Sequence, residues 1–171
     1  RRLPLNDYSG DAQLIIATHT HPRCYSPDGG YQDAYFGPIV DQLAKSDRKA
    51  LVIALPVEQP GDQIKKIKEL NFGLPVIPIY SCLSFADLVV CAWRTFRLFI
   101  NPVKPKGLME INGVDLSYLV RQSISEVLHT GDIFYNLVIY YAARRVASRI
   151  RTTRWLYPYE NRAWEKMVLL G

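Results

Sequence analysis

The amino-acid sequence predicts an α/β domain in which helices cover a parallel sheet of about four or more strands. Three continuous apolar runs, at 13–18, 50–55 and 76–80, are typical of strands that are buried on both faces. Segments of helical periodicity, at 36–43 and 64–70, separate these runs. Because strand-helix-strand connections are right-handed crossovers, the three strands are expected to lie parallel in one sheet.

The third strand is expected at an edge of the sheet, because Pro78 has no N–H group to donate to a neighbour. A helix-rich crossover follows, and after it a fourth strand and a last helix; these elements are predicted at 85–99, 115–128, 133–150, 154–157 and 161–170. This pattern predicts a Rossmann-like sheet of order 3-2-1-4, in which ligands bind beyond the carboxyl ends of the first and fourth strands.

The composition is that of a single globular domain that covers residues 1–171. The apolar fraction is 49% and the charged fraction is 22%, which excludes a disordered or fibrous chain. The most apolar stretch, 83–100, contains three charged residues and does not predict a membrane span. Three cysteines without zinc-site spacing are typical of a reducing compartment, so a cytoplasmic location is predicted.

The loop after the first strand contains His19, His21 and Arg23, close to the predicted crevice. Imidazole can act as a general base near neutral pH, and a guanidinium group can bind phosphate or carboxylate. The alternative is an ordinary loop with solvated histidines. A His-x-His pair is also typical of metal-dependent hydrolases, but only His129 remains to complete a histidine-rich site, and no metal site is predicted.

A turn-rich segment, 26–31, precedes the first helix and ends at Tyr31, a candidate substrate-binding residue. Neither of the two glycine-rich phosphate-binding spacings is present in it. No bound nucleotide or other cofactor is therefore predicted for this part of the protein.

The segment that joins the fourth strand to the last helix combines two carboxylates, an amide and an aromatic ring; they belong to Glu160, Glu165, Asn161 and Trp164. This composition suits proton transfer and the binding of sugar hydroxyls. A purely structural interpretation is also complete, since Asn161 can cap the helix and Trp164 can pack inward.

The positive charge of the chain is concentrated in one segment. The net charge is +5, and no acidic residue occurs between Asp132 and Glu160. The predicted helix there has one basic face, which carries four arginines, the last of them just past its end: Arg144, Arg145, Arg149 and Arg151. A solvated basic face over a buried apolar stripe explains this pattern without a function and is the favoured interpretation. The alternative is that the face binds an anionic membrane or a lipid-pyrophosphate substrate. Nucleic acid is not an expected partner, because no platform of aromatic and basic residues is evident.

Two segments, 35–43 and 160–166, resemble a family of bacterial and archaeal surface carbohydrate biosynthesis proteins that are relatives of GT-B glycosyltransferases. The second segment matches the E-N-x-x-W-E signature of that family and is the more specific. The resemblance implies that the chain is the N-terminal, acceptor-side half of a two-domain protein. Its partners would be a C-terminal domain that binds the nucleotide-sugar donor and a polysaccharide or lipid-linked acceptor.

The leading hypothesis is therefore a glycosyltransferase domain of surface polysaccharide biosynthesis, inactive as a fragment. Glu160, Glu165 and either His19 or His21 are the candidates for deprotonating the acceptor hydroxyl. The alternative is a non-catalytic interaction domain that docks a biosynthetic complex, peripherally, at the inner face of the cell membrane through its basic face. A metal-dependent hydrolase is the third hypothesis.

Overall fold

A computed structural model describes residues 10–46, 48–101, 110–111, 113–129, 132–152, 154–158 and 163–170. The strands are β1 (Gly10–Ala12), β2 (Leu14–Thr20), β3 (Ala50–Pro56), β4 (Val76–Pro78), β5 (Glu110–Ile111), β6 (Val114–Asp115), β7 (Ile150–Thr152) and β8 (Trp155–Leu156). The helices are α1 (Gly37–Ala44), α2 (Pro60–Glu69), α3 (Phe85–Ile100), α4 (Ser117–His129), α5 (Asp132–Arg149) and α6 (Ala163–Leu170).

The centre of the molecule is a four-stranded sheet of order β4-β3-β2-β8, and all its strands are parallel. The predicted α/β fold with a four-stranded parallel sheet is therefore confirmed. Counted along the chain, the order does not match 3-2-1-4 exactly, because β1 precedes this sheet and three further short strands intervene before β8. Pro78 lies in β4, an edge strand of the sheet in the described part of the chain.

The pairing between β2 and β8 is extended by β1 and β7. Gly10 faces Ile150 and Ile15 faces Trp155, so the two short ladders keep one register across the interruption between them. Ile150 was predicted as the last residue of a helix, but it is the first residue of β7. Its side chain is buried in the core. A β-branched side chain is suited to a strand, so the strand satisfies the same burial that the helix was expected to provide.

The sheet separates two cores. Ile15 and Ala17 of β2 pack in a cluster with α5 and α6, whereas Ile16 packs in a cluster with α1 and α2. Because side chains alternate along a strand, His19 continues the α5/α6 side and its neighbours Thr18 and Thr20 continue the α1/α2 side. The end of β2 thus presents polar groups to both layers.

Candidate functional site

The chain reverses its direction of sheet growth at β2. It passes from β2 to β3 and β4 on one side, and returns on the other side of β2 as β8. The helices that follow β2 and β8 accordingly lie on opposite faces, since α1 belongs to one core and α6 to the other. In parallel sheets such a reversal leaves a crevice beyond the carboxyl ends of the two strands, where ligands bind.

An imidazole and a carboxylate meet at this edge of the sheet. His21 follows β2, and its Nδ1 lies 3.7 Å from Oε1 of Glu58, which follows β3. The His21 side chain is 24% exposed, so it is open to a ligand. The contact is longer than a hydrogen bond, and Glu58 is 66% exposed. A carboxylate near an imidazole is nevertheless an arrangement from which a general base can be built.

The loop that carries Glu58 is held by a buried glutamine. The Thr20 hydroxyl donates to Oε1 of Gln63 at 2.9 Å, and the Gln63 amide donates to the backbone carbonyl of Glu58. Gln59 has a left-handed backbone with φ of 45°, which costs about 1 kcal/mol or more for a residue other than glycine. The contacts of Thr20 and Gln63 offset this strain and keep Glu58 next to His21.

A second polar cluster fixes the connection from β2 to α1. Asp33 is 3% exposed, and its Oδ1 accepts hydrogen bonds from the N–H groups of Tyr35 and Phe36 at 2.8 and 2.7 Å. Its Oδ2 accepts a hydrogen bond from the phenol of Tyr31 at 2.8 Å, and its Oδ1 also accepts a longer one of 3.4 Å from the Thr18 hydroxyl. The short bonds to its carboxylate give Asp33 the role of shaping the loop rather than of binding a ligand.

Tyr31, a predicted substrate-binding residue, lies in the core. Its ring is buried and packs edge-on against Phe72, with 5.5 Å between the centroids. Burial and the neighbouring Asp33 carboxylate raise the pKa of Tyr31 well above its usual value, so the phenol stays a hydrogen-bond donor. Tyr31 is therefore a core residue here, because its apolar ring gains more from burial than its hydroxyl loses once Asp33 accepts it.

The remaining predicted site residues are distributed as follows. His19 is buried on the α5/α6 side of β2, and Glu165 is buried in the first turn of α6, which packs on that same side. Arg23 is exposed in a short 3-10 turn directly after His21. Glu160, Asn161 and the side chain of Trp164 lie outside the described residues.

The predicted basic face is divided by the structure. Arg144, Arg149 and Arg151 are exposed, but Arg145 is partly buried and paired with Asp87 of α3. One guanidinium nitrogen of Arg145 donates to Oδ1 of Asp87 at 3.1 Å and to the Ser84 hydroxyl at 2.8 Å. Arg145 thus joins α5 to the amino end of α3 instead of facing solvent with the other arginines.

Replacing Arg145 with Met is expected to lower the free energy of unfolding at pH 7 by about 1–2 kcal/mol. Burial would raise the pKa of Asp87, but the hydrogen bonds from Arg145 and Ser84 outweigh it and lower that pKa below 3.8. The contribution of the pair is therefore present above pH 4 or so and is lost as the pH falls through the lowered pKa. Urea unfolding at pH 7 and at about pH 2 measures both effects.

Arg144→Met is the matched control, since this neighbouring arginine is exposed. It is expected to change the free energy of unfolding by less than about 0.5 kcal/mol. Equal losses in the two variants, or an Arg145→Met variant with unchanged acid dependence, would contradict the assigned pairing.

Side chains that could bind a metal ion are not clustered in the described part of the chain. Among the described residues, no three His, Cys, Asp or Glu side chains are grouped as a metal site requires. The hydrolase hypothesis stays a prediction, which elemental analysis of the purified protein tests.

A cleft of about 490 Å³ lies near the amino ends of β2 and β8 and includes Arg48 and Arg154. It is at the end of the sheet opposite to His21.

None of the helices in the part of the chain that the structure describes has the length and hydropathy to cross a membrane. Comparison with protein-family models, curated proteins and solved structures finds no match to this chain. Its functional interpretation therefore rests on the side chains at the carboxyl ends of β2 and β3.

Proposed function

We propose that this chain is the acceptor-side half of a Rossmann-like, GT-B-type glycosyltransferase in cell-surface polysaccharide biosynthesis. One observation carries the proposal, the pair of His21 and Glu58 at the carboxyl ends of the two central strands. The reversal of the strand order at β2 supports a ligand crevice at the same place. The resemblance of 160–166 to the family signature supports a sugar substrate rather than another acceptor.

In the proposed reaction, the imidazole of His21 takes the proton of an acceptor hydroxyl, and Glu58 stabilises the imidazolium that forms. The acceptor oxygen forms a bond to the anomeric carbon of the donor sugar. The bond between that carbon and the diphosphate oxygen breaks, and the nucleoside diphosphate leaves with the electron pair. Donor and diphosphate would be held by a second domain, so this chain supplies the base and the acceptor site.

Other side chains have supporting roles in the proposal. Arg23 is exposed one turn beyond His21 and would bind the phosphate of a lipid-linked acceptor. Glu165, which is buried in the first turn of α6, is the alternative base, with Glu160 and His19 as further candidates. Asn161 and Trp164 would bind sugar hydroxyls and the sugar ring.

The three histidines of the chain allow a direct test by NMR of their ring nitrogens. Titration with an octyl oligosaccharide as acceptor mimic is expected to shift the His21 signal. His21→Gln is expected to abolish that signal and weaken the binding of the mimic about tenfold. His129→Gln, at the end of α4, is the matched control and is expected to leave the binding unchanged.

Donor binding is tested separately by isothermal titration with UDP-glucose and GDP-mannose. The chain alone is expected to bind them weakly, with Kd values above about 1 mM. A Kd below about 10 µM would place the donor site in this half and contradict the proposal. The absence of any response of His21 to acceptor mimics would contradict the assigned acceptor site.

A non-catalytic docking domain is the second candidate function, and the exposure of Arg144, Arg149 and Arg151 favours it. Charge reversal at these three positions would then release the protein from anionic vesicles. His21→Gln would have no effect in that case, either on vesicle binding or on the activity of a protein with both domains. The proposed location is cytoplasmic for either candidate, at the inner membrane face.

A further inference from the structure

The helix α3 presents its apolar face to solvent. Besides Val90, seven exposed large apolar side chains of α3 share one face of the helix: Phe85, Leu88, Val89, Trp93, Phe96, Phe99 and Ile100. At 100° per residue they occupy an arc of about 140° along the whole helix. We refer to this set as the α3 stripe. In most globular proteins such a stripe faces the core.

The opposite face of α3 attaches the helix to the domain. The pair of Asp87 and Arg145 holds its first turn, Cys91 is buried, and the Arg94 guanidinium lies 5.6 Å from the centre of the Tyr141 ring. The Ser84 hydroxyl caps the amino end by accepting the Asp87 N–H at 3.2 Å. The helix is thus mounted on α5 with its apolar side outward.

The exposed area is large for a monomer. The four aromatic residues of the α3 stripe are between 53% and 82% exposed. At about 200 Å² for each ring, they alone expose roughly 500 Å². The aliphatic members take the α3 stripe beyond the ~300–600 Å² that the largest apolar patch of a typical monomer reaches. A surface of this kind is normally covered in use.

The charged residues of α3 indicate what binds the α3 stripe. Arg97 is exposed and flanks the α3 stripe, whereas Arg94 lies on the opposite face, over the Tyr141 ring. Asp87, the only acidic residue of the helix, is paired with Arg145. A second copy packed on the same stripe would bring a second Arg97 into the contact, and α3 offers no free carboxylate to balance the two charges. Lipid phosphates supply that counter-charge, while Trp and Phe side chains insert at the headgroup boundary.

We infer that α3 is a membrane-docking helix, which inserts the α3 stripe into the surface of an anionic bilayer while Arg97 contacts lipid phosphates. The inference is independent of the proposed transferase function, because it uses none of the residues at the carboxyl ends of the strands. It also shifts the main anchor from the basic face of α5 to α3.

Vesicle flotation of the full chain tests the inference. Vesicles with about 30% phosphatidylglycerol are expected to capture the protein, and pure phosphatidylcholine at least tenfold less. Trp93→Glu combined with Phe96→Glu is expected to reduce partitioning by about 100-fold or more, because two aromatic side chains that would be buried in the bilayer are lost. Arg97→Glu is expected to reduce partitioning about tenfold, and the reduction is expected to be larger at low salt than at high salt.

Val57→Glu is the matched control, since Val57 is as exposed as the members of the α3 stripe but lies in the loop after β3. It is expected to bind vesicles normally, as is His21→Gln. Quenching of tryptophan by brominated lipid gives a second readout, which Trp93→Phe should remove without abolishing capture. Phe85→Ser, at the most exposed position, substitutes for the double variant if that one does not fold.

Three outcomes would overturn the inference. They are a wild-type chain that anionic vesicles fail to capture at low salt, stripe variants that float as well as Val57→Glu, and equal capture by neutral vesicles. A dimer that ultracentrifugation detects and that Trp93→Glu dissociates, without vesicle capture, would assign the α3 stripe to a second copy instead.

Discussion

Replacing Asp33 with Ala is expected to lower the free energy of unfolding by about 3–5 kcal/mol, a large part of the stability of a domain of this size. The change removes the acceptor of two backbone N–H groups and of the Tyr31 phenol. The phenol, which is buried, would then lack a partner, and each unpaired buried donor costs about 1–3 kcal/mol. Chemical unfolding followed by circular dichroism measures the loss.

Two further variants separate the hydrogen bonds of Asp33 from a general effect of charge. Tyr31→Phe keeps the ring in its contact with Phe72 and removes one donor, so a loss of about 1–2 kcal/mol is expected. Asp28→Ala removes an exposed acid from the same loop and is expected to have a much smaller effect. If Asp33→Ala were no more damaging than Asp28→Ala, Asp33 would not be the residue that shapes this loop.

The positions of the main strands and helices could be predicted because their signals are local. Continuous apolar runs mark β2, β3 and β4, and helical periodicity marks α1 and α2. The short strand β7 was missed, since Ile150 continues the helical spacing of α5 until its pairing with Gly10 is seen. A pairing between residues so distant in the chain leaves no local pattern.

Periodicity also shows which residues share a face but not what that face contacts. The helix expected at 85–99 is present as α3, and the structure turns the face that carries Phe85, Trp93 and Phe96 to solvent. The attachment depends on Arg145, which is 58 residues away from Asp87 in the sequence. From the sequence alone, Arg145 was indistinguishable from its exposed neighbour Arg144.

The candidate site was predictable only in part. His21 could be located because it follows an obvious strand in a parallel sheet. Glu58 could not, since its approach to His21 depends on the left-handed Gln59 and on the buried side chain of Gln63. The burial of Tyr31 against Phe72 is likewise not evident from the sequence, because a turn-rich composition does not indicate a core contact.

Replacing Gly73 with Ala is expected to lower the free energy of unfolding by about 2–3 kcal/mol. A Cβ atom at Gly73 would lie 2.4 Å from the backbone carbonyl oxygen of Ala44, at the end of α1, and 3.3 Å from the Ala44 Cβ. Backbone atoms at a helix end cannot move aside cheaply, so α1 and the connection from α2 to β4 would have to separate. Thermal and urea unfolding measure the cost.

Gly61→Ala in α2 is the matched control, because a Cβ atom there meets no heavy atom within 4 Å. Alanine favours a helix over glycine, so this variant is expected to be neutral or up to about 1 kcal/mol more stable. Gly73 lies at the amino ends of the strands, far from His21, so Gly73→Ala should leave the response of His21 to acceptor mimics intact below its unfolding midpoint. If the two variants were equally stable, the backbone at Ala44 could move aside for the new Cβ atom without a cost in stability. If Gly73→Ala lost the His21 response, the two ends of the sheet would be coupled.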